Sequence, residues 1–309
     1  MRVAYLGSSS FSVPPLRSIL SDVALVITKK AKPKGRGYLL ENNEVKQIAL
    51  ESGIPFVEID SFRDDAAQQL REYAPDLLVV ASFGLMVPRW ALLLPSMGPL
   101  NIHPSLLPKY RGPSPIQWAI WNGESETGIT FIRMNEKMDE GDILYQTHVG
   151  IEPGENAVSL SERLSRKAAE ILPGFIDNPE NREMGAGIVQ NSEEATYTPI
   201  ITKEMGKIDW SLGALEITRQ IRALAGWPTA FTFLDGLLLK IFDADIYDPA
   251  AAGEPGLITG LRKEGFLVST PNGTVVVYEV QLENKRRMNA YQFAQGYRTL
   301  INKQLGERG

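Results

Sequence analysis

The chain contains 309 residues, 43% of them hydrophobic and 22% charged, with 37 acidic against 32 basic side chains and a formal net charge of −5. This composition excludes disordered, collagen-like and coiled-coil chains, and the length favours two domains over one. Cysteine is absent, which excludes a disulfide framework, a thiolate nucleophile and a sulfur-based zinc site.

Histidine is also scarce. The two histidines, His103 and His148, lie 45 positions apart, and because a catalytic metal usually needs two or three imidazoles close together, we expect no metal site. No segment resembles a secretory leader or a membrane span. We expect a cytoplasmic protein that makes no membrane contact, with a monomer as the working expectation.

The first half of the chain alternates short apolar runs with segments of helical period. The predicted strands are Met1–Leu6, Val23–Thr28, Leu77–Ser82, Pro99–Ile102, Gly128–Met134 and Ile143–Val149. The predicted helices begin near Val13 and cover Val45–Leu50, Asp64–Tyr73, Pro115–Asn122 and Val158–Ile171. This alternation indicates βαβ units around a parallel sheet, and therefore an α/β fold.

The last hundred residues have a different pattern. One helix is predicted over Leu215–Leu224, and a second over Ala290–Leu300 ends the chain. Between them turn signals separate short strands, at Thr229–Leu234, Leu237–Tyr247, Gly256–Thr259, Gly265–Thr270 and Thr274–Gln281. This pattern predicts a small β-barrel. We place the first domain at residues 1–189, a linker at 190–206 and the second domain at 207–309.

The turn Gly7-Ser8-Ser9-Ser10 ends the first predicted strand and opens a helix, an arrangement that is able to hold an anion. A dinucleotide site needs three spaced glycines, of which only Gly7 is present. A plain strand-to-helix turn is therefore favoured over NAD binding.

A basic run follows the second predicted strand. Five cations lie within eight residues, at Lys29, Lys30, Lys32, Lys34 and Arg36. Such a run is more often a solvated loop than a site, but its position at the carboxyl edge of a parallel sheet favours phosphate binding. The residues alone leave both interpretations open.

A third cluster lies around the fourth predicted strand. Asn101 and His103 are two residues apart, so on a strand their side chains share a face, and a proline-rich loop follows them. Downstream, the sequence Met138-Asp139-Glu140-Gly141-Asp142 places acids on both sides of a glycine. A histidine with an asparagine on its own face is a candidate for catalysis, although a structural role stays open because partner geometry is invisible in sequence.

The run NIHPSLLPKYRGPSPIQ, followed by MDEGDILY with its aspartate 36 residues after the histidine, resembles the folate-dependent formyltransferase family. Further similar motifs occur in the expected order along essentially the whole chain, namely PKGRG, IDWS, WPTAF and KRRMNAYQF. The resemblance implies an amino-terminal Rossmann-type domain that carries catalysis, followed by a small barrel of the OB type.

The resemblance also implies a reaction, in which 10-formyltetrahydrofolate donates a formyl group to the α-amino group of methionine on initiator Met-tRNA. Asn101, His103 and Asp139 would be catalytic. The loop of Ser105, Leu106, Leu107 and Pro108 would line the folate site. The resemblance places Arg36 near the acceptor end of the tRNA. Because the chain is acidic overall, we expect the tRNA to be contacted by two local basic clusters, comprising Lys32, Lys34 and Arg36 in the first domain and Lys285, Arg286 and Arg287 in the second.

The chemistry fits these residues. Attack of an amine on a formamide carbon develops negative charge on oxygen, which Asn101 and a protonated His103 are suited to stabilise, at roughly 3 to 4 kcal/mol for each well-placed donor. Asp139 would orient the ring or remove the amine proton. A sugar-nucleotide N-formyltransferase and a formyltetrahydrofolate hydrolase would use the same three residues, and both remain alternatives.

Two alternative functions from other classes of protein also remain open. An OB-type domain can act as a non-catalytic RNA-binding module through exposed aromatic side chains. The aromatic residues that would serve are Trp210, Trp227, Phe231 and Phe233, which we expect in the core more than on a stacking surface. The last alternative is an NAD-dependent oxidoreductase.

Overall fold

The structure, a computed structural model, describes residues 1–30, 33–34, 39–40, 43–181, 187–297 and 299–306. The chain divides into two compact units. Unit 1 comprises residues 1–115, 126–150 and 161–198, and unit 2 comprises residues 116–125, 151–160 and 199–309. Within the described ranges, no helix is long and apolar enough to cross a membrane.

The strands of unit 1 are, in chain order, β1 (Val3–Gly7), β2 (Val23–Lys29), β3 (Pro33–Lys34), β4 (Leu39–Leu40), β5 (Phe56–Ile59), β6 (Leu77–Ala81), β7 (Gly98–His103), β8 (Glu126–Arg133) and β9 (Ile143–Gly150). Seven of them form one sheet in the order β5-β2-β1-β6-β7-β8-β9, and β3 pairs with β4. The strands from β5 to β7 pair in parallel, which confirms the Rossmann-type α/β prediction. Strands β8 and β9 extend the sheet in antiparallel pairing, a feature that the sequence analysis does not predict.

The burial of these strands explains their patterns of apolar residues. Every residue of β1 and β6 is buried, which is why both read as continuous apolar runs. The edge strand β9 is buried at none of its positions. The carboxyl ends of the parallel strands share one edge of the sheet, and β7 ends there at His103.

The α-helices in the part of the chain before residue 182 are α1 (Val13–Ser18), α2 (Glu44–Glu51), α3 (Gln69–Tyr73), α4 (Arg89–Leu92), α5 (Pro115–Trp121) and α6 (Ala157–Asp177). The helix predicted over Asp64–Tyr73 is a 3-10 turn, Asp65–Gln68, followed by the short α3. Helix α6 continues beyond its predicted end at Ile171 because Leu172, Phe175 and Ile176 keep its apolar face buried.

Unit 2 contains α7 (Ala214–Ala223), β10 (Ala230–Leu234), β11 (Leu237–Asp248), β12 (Ile258–Arg262), β13 (Gly265–Ser269), β14 (Thr274–Leu282), β15 (Met288–Asn289) and α8 (Ala290–Gly296). The strands form an antiparallel sheet in the order β10-β11-β14-β13-β12, with β15 on β14. The second, β-rich domain is thus confirmed. Helix α8 ends at Gly296, before its predicted end at Leu300, and its cap residue Tyr297 leaves the helical conformation with φ of −113° and ψ of 80°.

The two edge strands of unit 2 are both joined to the carboxyl-terminal tail. Leu305 bridges Leu234 at the end of β10, and Gln304 bridges Leu257 just before β12. The predicted turn at Asp235-Gly236 is confirmed between β10 and β11, with φ of 48° and 76°. Positive φ at both central residues is what a type I′ hairpin turn requires.

The four aromatic residues that an RNA-binding module would use differ in burial. Trp210 is buried in the core and donates from Nε1 to Thr232 Oγ1. Phe231 and Phe233 are half-buried, since Ala230, Thr232 and Leu234 occupy the core face of β10. Trp227 is exposed, and the expectation of a core position is wrong there because Gly226 turns the chain with φ of 85°.

Candidate active site

Asn101, His103 and Asp139 come together at the carboxyl end of β7. Asn101 and His103 lie two residues apart on that strand and share a face, while Asp139 lies in the connection from β8 to β9. Asn101 Nδ2 donates to Asp139 Oδ1 at 3.2 Å, and His103 Nδ1 lies 3.6 Å from Asp139 Oδ2. The structure therefore brings the three residues singled out from sequence into one cluster.

The two ring nitrogens of His103 have different partners. Nε2 lies 2.9 Å from the carbonyl oxygen of Tyr110. A carbonyl can only accept, so Nε2 carries the hydrogen. Nδ1 faces the Asp139 carboxylate at a distance longer than a hydrogen bond, and it is therefore the ring nitrogen that can still take a proton or a new partner.

The Asp139 carboxylate is the point on which this cluster converges. Gly112 N donates to Asp139 Oδ2 at 2.8 Å, in addition to the contacts of Asn101 and His103. His103 is 4% exposed, whereas the Asp139 side chain is 15% exposed. The carboxylate is thus more accessible to solvent than the imidazole ring.

The turn from Asp139 to Gly141 is a tight one. Asp139 has a φ of 53°, a left-handed conformation that costs a non-glycine residue roughly 1–2 kcal/mol. A Cβ at Gly141 would lie 1.7 Å from the backbone oxygen of Arg133, so only glycine fits beside the end of β8. Contacts from elsewhere must hold Asp139 in this conformation.

The loop that follows His103 is fixed to the neighbouring strands. Ser105 Oγ donates to Lys109 O at 2.7 Å, and Thr130 Oγ1 on β8 both donates to Ser105 O and accepts from Leu107 N. Ser105 and Leu107 are consequently buried, while Leu106 and Pro108 are half-buried. Of the four residues predicted to line the folate site, Leu106 and Pro108 present the larger surface.

Three residues that the sequence analysis did not single out as functional meet the cluster. Arg111 is 1% exposed, and its guanidinium contacts the side chains of Gln190 and Tyr197. Gln190 and Tyr197 belong to a segment, residues 187–198, most of which was expected to be a linker. They lie 79 and 86 positions from Arg111 in an aperiodic stretch, so no local signal marks them.

Glu140 is the acidic neighbour of this group. It accepts a hydrogen bond from Tyr197 at 3.1 Å and lies 3.7 Å from Arg111 Nη1. Desolvation acts to raise the pKa of Glu140, but the hydrogen bonds of Tyr197 and Lys137 and the charges of Lys137 and Arg111 together lower it below its usual value.

The cations predicted to contact tRNA are placed only in part. Lys32, Arg36 and the side chain of Lys34 lie outside the described residues. Lys285, Arg286 and Arg287 are exposed in unit 2. Arg287 pairs with Glu279 and covers the ring of Phe242 at 4.1 Å, and the hydrogen bond to Glu279 raises the pKa of Arg287. Its charge is thus partly balanced within the protein.

The serine turn after β1 is closed by its own hydroxyl groups. Ser8 Oγ accepts from Lys29 N at 3.1 Å, and Ser9 Oγ donates to Ser82 Oγ at 2.8 Å. A Cβ at Gly7 would lie 2.7 Å from Ser12 Cβ, so the glycine is explained by packing against the turn. Anion binding here stays a prediction.

Comparison with known families gives two matches that together span most of the chain. The model of the family described as formyl transferase matches residues 15–176, and the model described as formyl transferase, C-terminal domain, matches residues 200–298.

Full-length relatives are similar at the level of sequence. The methionyl-tRNA formyltransferase of Agathobacter rectalis is 40% identical over 302 residues, which is 96% of each chain. That of Alkaliphilus oremlandii is 38% identical over 99% of this chain and 100% of its own. Among solved structures, the sugar 3N-formyl transferase WlaRD, determined in the presence of dTDP and 5-N-formyl-THF, matches with a TM-score of 0.68 and 21% identity over 93% of this chain and 99% of its own. At that identity the likeness concerns the fold.

Proposed function

This chain belongs to the formyl transferase family, and on that premise we propose that it transfers the formyl group of 10-formyltetrahydrofolate to the α-amino group of methionine carried by initiator tRNA. The observation that carries the proposal is the convergence of Asn101, His103 and Gly112 on the carboxylate of Asp139. The product would serve translation initiation, and we place the reaction in the cytoplasm with a monomeric enzyme.

Each member of the cluster has a role in this reaction. The neutral amine attacks the formyl carbon, and negative charge develops on the formyl oxygen. Asn101 Nδ2 gives one hydrogen to Asp139 and keeps a second for that oxygen, and His103 Nδ1 is the other donor when it is protonated. Each well-placed donor contributes roughly 3–4 kcal/mol.

Asp139 handles the proton. The attacking amine becomes cationic as the new carbon–nitrogen bond forms, and the partly exposed Asp139 carboxylate accepts its proton, directly or through a water molecule. The bond between the formyl carbon and N10 of the folate then breaks, and N10 takes up the proton that Asp139 accepted, directly or through water, which restores the carboxylate. Atoms and charges balance without a covalent enzyme intermediate.

The formyl donor would bind along the loop of Ser105, Leu106, Leu107 and Pro108. Thr130 fixes this loop next to His103, which keeps a bound formyl group within reach of the cluster. Leu106 and Pro108 supply the contact surface, and the buried Ser105 and Leu107 keep the loop in shape.

The tRNA would contact local cationic clusters, because neither half of the chain is basic overall. Lys32, Lys34 and Arg36 serve in the first domain, with Arg36 at the acceptor end, and Lys285, Arg286 and Arg287 serve in the second. We also propose that the sheet of unit 2 is an OB-type barrel, which the bridges from residues 304 and 305 to both of its edges support.

A transfer assay tests the function. Labelled 10-formyltetrahydrofolate is supplied with initiator Met-tRNA, elongator Met-tRNA or an amino-sugar nucleotide, and with no acceptor. We expect transfer to initiator Met-tRNA, with His103→Ala and Asp139→Ala each losing most of kcat. Preferred transfer to the sugar nucleotide, or release of formate at the same rate without an acceptor, would overturn the proposal.

The salt dependence of tRNA binding tests the cationic contacts. Lys285→Ala combined with Arg286→Ala should weaken tRNA binding and make its logarithmic salt dependence shallower by about 1–2, whereas the exposed Lys263→Ala should not. Arg287 is left intact because it also packs on Phe242. An unchanged salt slope would remove these two residues from the interface.

A further inference from the structure

Arg111 is a charged side chain held almost completely away from solvent, at 1% exposure. Its guanidinium donates from Nε to Gln190 Oε1 at 3.0 Å and from Nη1 to the Tyr197 hydroxyl at 2.9 Å. Burying a charge is costly unless its donors are satisfied. These contacts therefore fix the position of Gln190 and Tyr197 as firmly as they fix Arg111.

Gln190 passes this constraint to the backbone around Asp139. Its Nε2 donates to the carbonyl oxygens of Asp139 at 2.8 Å and Gly141 at 2.7 Å. The carbonyls only accept and the guanidinium only donates, so the amide has a single possible orientation. One side chain thus ties both ends of the turn that holds Asp139 in its left-handed conformation.

A second connection runs through the main chain. Arg111 N donates to Thr196 O and Thr198 N donates to Arg111 O, both at 2.8 Å. The next residue, Gly112, donates its N–H to the Asp139 carboxylate. Arg111 is therefore linked to Asp139 twice, to its backbone through Gln190 and to its carboxylate through Gly112.

We propose that Arg111, Gln190 and Tyr197 are positioning residues, a clamp that sets the orientation of the Asp139 carboxylate toward Asn101 and His103. This inference rests on the proposed function for the role of Asp139. Tyr197 completes the clamp by donating to Glu140 Oε1 while its hydroxyl accepts from Arg111.

The variant that isolates the clamp is Gln190→Glu. The new carboxylate keeps the contact with Arg111 but cannot donate to the carbonyls of Asp139 and Gly141. We expect kcat to fall about 10- to 100-fold from misplacement of the carboxylate, with KM for both substrates within about twofold of wild type. The matched control is Asn191→Asp, which introduces the same change of charge at the adjacent, exposed position and should leave kcat unchanged.

The decisive measurement repeats Gln190→Glu in the Asp139→Asn background. A residue that acts through Asp139 adds nothing once that carboxylate is gone, whereas general loss of structure lowers activity in both backgrounds. We expect no further decrease of kcat in the double variant. An equal decrease in both backgrounds, or an unchanged kcat in the single variant, would overturn the clamp.

Tyr197→Phe provides a milder test, since the ring is 63% exposed and the variant loses only the hydroxyl. It should lower kcat a few-fold and increase amide hydrogen exchange in residues 138–142, and Gln190→Glu should increase that exchange more. Unchanged exchange in both variants contradicts the clamp independently of any activity. If wild type fails to formylate Met-tRNA, the proposed function is wrong, and the same variant ratios are then measured on formate release.

Discussion

Two aspartates of this protein adopt the left-handed backbone conformation for opposite reasons. Asp139 has a φ of 53° and Asp235 a φ of 48°. Asp235 precedes a glycine in a two-residue hairpin and is exposed, so local turn geometry sets its conformation. Asp139 precedes Glu140 in a half-buried loop and is held by Gln190, 51 positions away.

Their carboxylates also differ in what they bind. Asp235 accepts from the Tyr297 hydroxyl and from Lys303 Nζ at 3.0 Å, so it ties the carboxyl-terminal tail to a hairpin. The carboxylate of Asp139 accepts from Asn101 and from the Gly112 N–H, and it faces the ring of His103. The comparison teaches that one conformation can arise from the turn itself, as at Asp235, or from distant contacts, as at Asp139, to which we assign a role in the proposed reaction.

Replacing each carboxylate with a neutral amide should produce the largest difference between the two aspartates. Asp139→Asn should lower kcat by about 10³-fold, a typical value for loss of a general base, and should change the thermal midpoint little because the amide still accepts from Gly112. Asp235→Asn should leave kcat unchanged. Steady-state formyl transfer measures both, and more than a tenth of wild-type turnover in Asp139→Asn would contradict the proposed role.

The glycines of the two turns should respond unequally. Gly141→Ala forces a Cβ against the backbone oxygen of Arg133, and overpacking against a fixed backbone costs about 3 kcal/mol or more. Gly236→Ala meets the unfavourable φ of 76°, for about 1–2 kcal/mol. Urea denaturation measures the free energy of unfolding of both variants. An equal loss in the two variants would contradict the expected difference between the two turns.

A smaller effect is expected on the stability that Asp235 contributes at low pH. The hydrogen bonds from Tyr297 and Lys303 lower the pKa of Asp235. Because the folded value lies below the ordinary value of 3.8, the stabilisation is present above that pH and is lost as the pH falls through the folded value. Asp235→Asn should therefore lower the thermal midpoint at pH 7 by less than about 3 °C, and the difference should vanish in acid. A difference that does not decrease as the pH falls below 3.8 would contradict this assignment.

The smallest effect is expected at high pH, in the titration of Tyr297. The hydrogen bond to Asp235, followed by burial and the carboxylate charge, raises the pKa of Tyr297 to about 12. The neutral phenol is thus favoured in the fold, and its stabilisation is present below pH 10 and lost as the pH rises through 12. The ultraviolet difference between wild type and Tyr297→Phe should titrate near pH 12, and in the Asp235→Asn background it should move toward 10.

Local patterns predicted much of the fold. The spacing of Asn101 and His103 placed both on one strand face, and Asp235-Gly236 identified a hairpin turn. The edge strand β5 was missed because its four residues carry too short a pattern. The antiparallel direction of β8 and β9 was missed because both strands read like any other apolar run.

The candidate site was predictable only where its members are near in sequence or where the family resemblance supplied them. Asp139 was visible only as one of several acids around Gly141, and its specific role came from the resemblance. Gln190 and Tyr197 carry no periodicity, and the polar segment around them resembles a linker because its partners are backbone carbonyls and Arg111, which sequence does not reveal. Contacts of this range have no signature in a single chain.

The segment of residues 187–198 has a consequence for how the protein is made. During synthesis the sheet through β9 and the helix α6 leave the ribosome before this segment does, and domains begin to fold from the amino terminus. Asn101, His103 and Asp139 therefore leave the ribosome while Gln190 is still inside the translating machinery. A nascent chain released at residue 181 would carry all three groups without the proposed clamp, so under that proposal activity would develop only after residues 187–198 had been added.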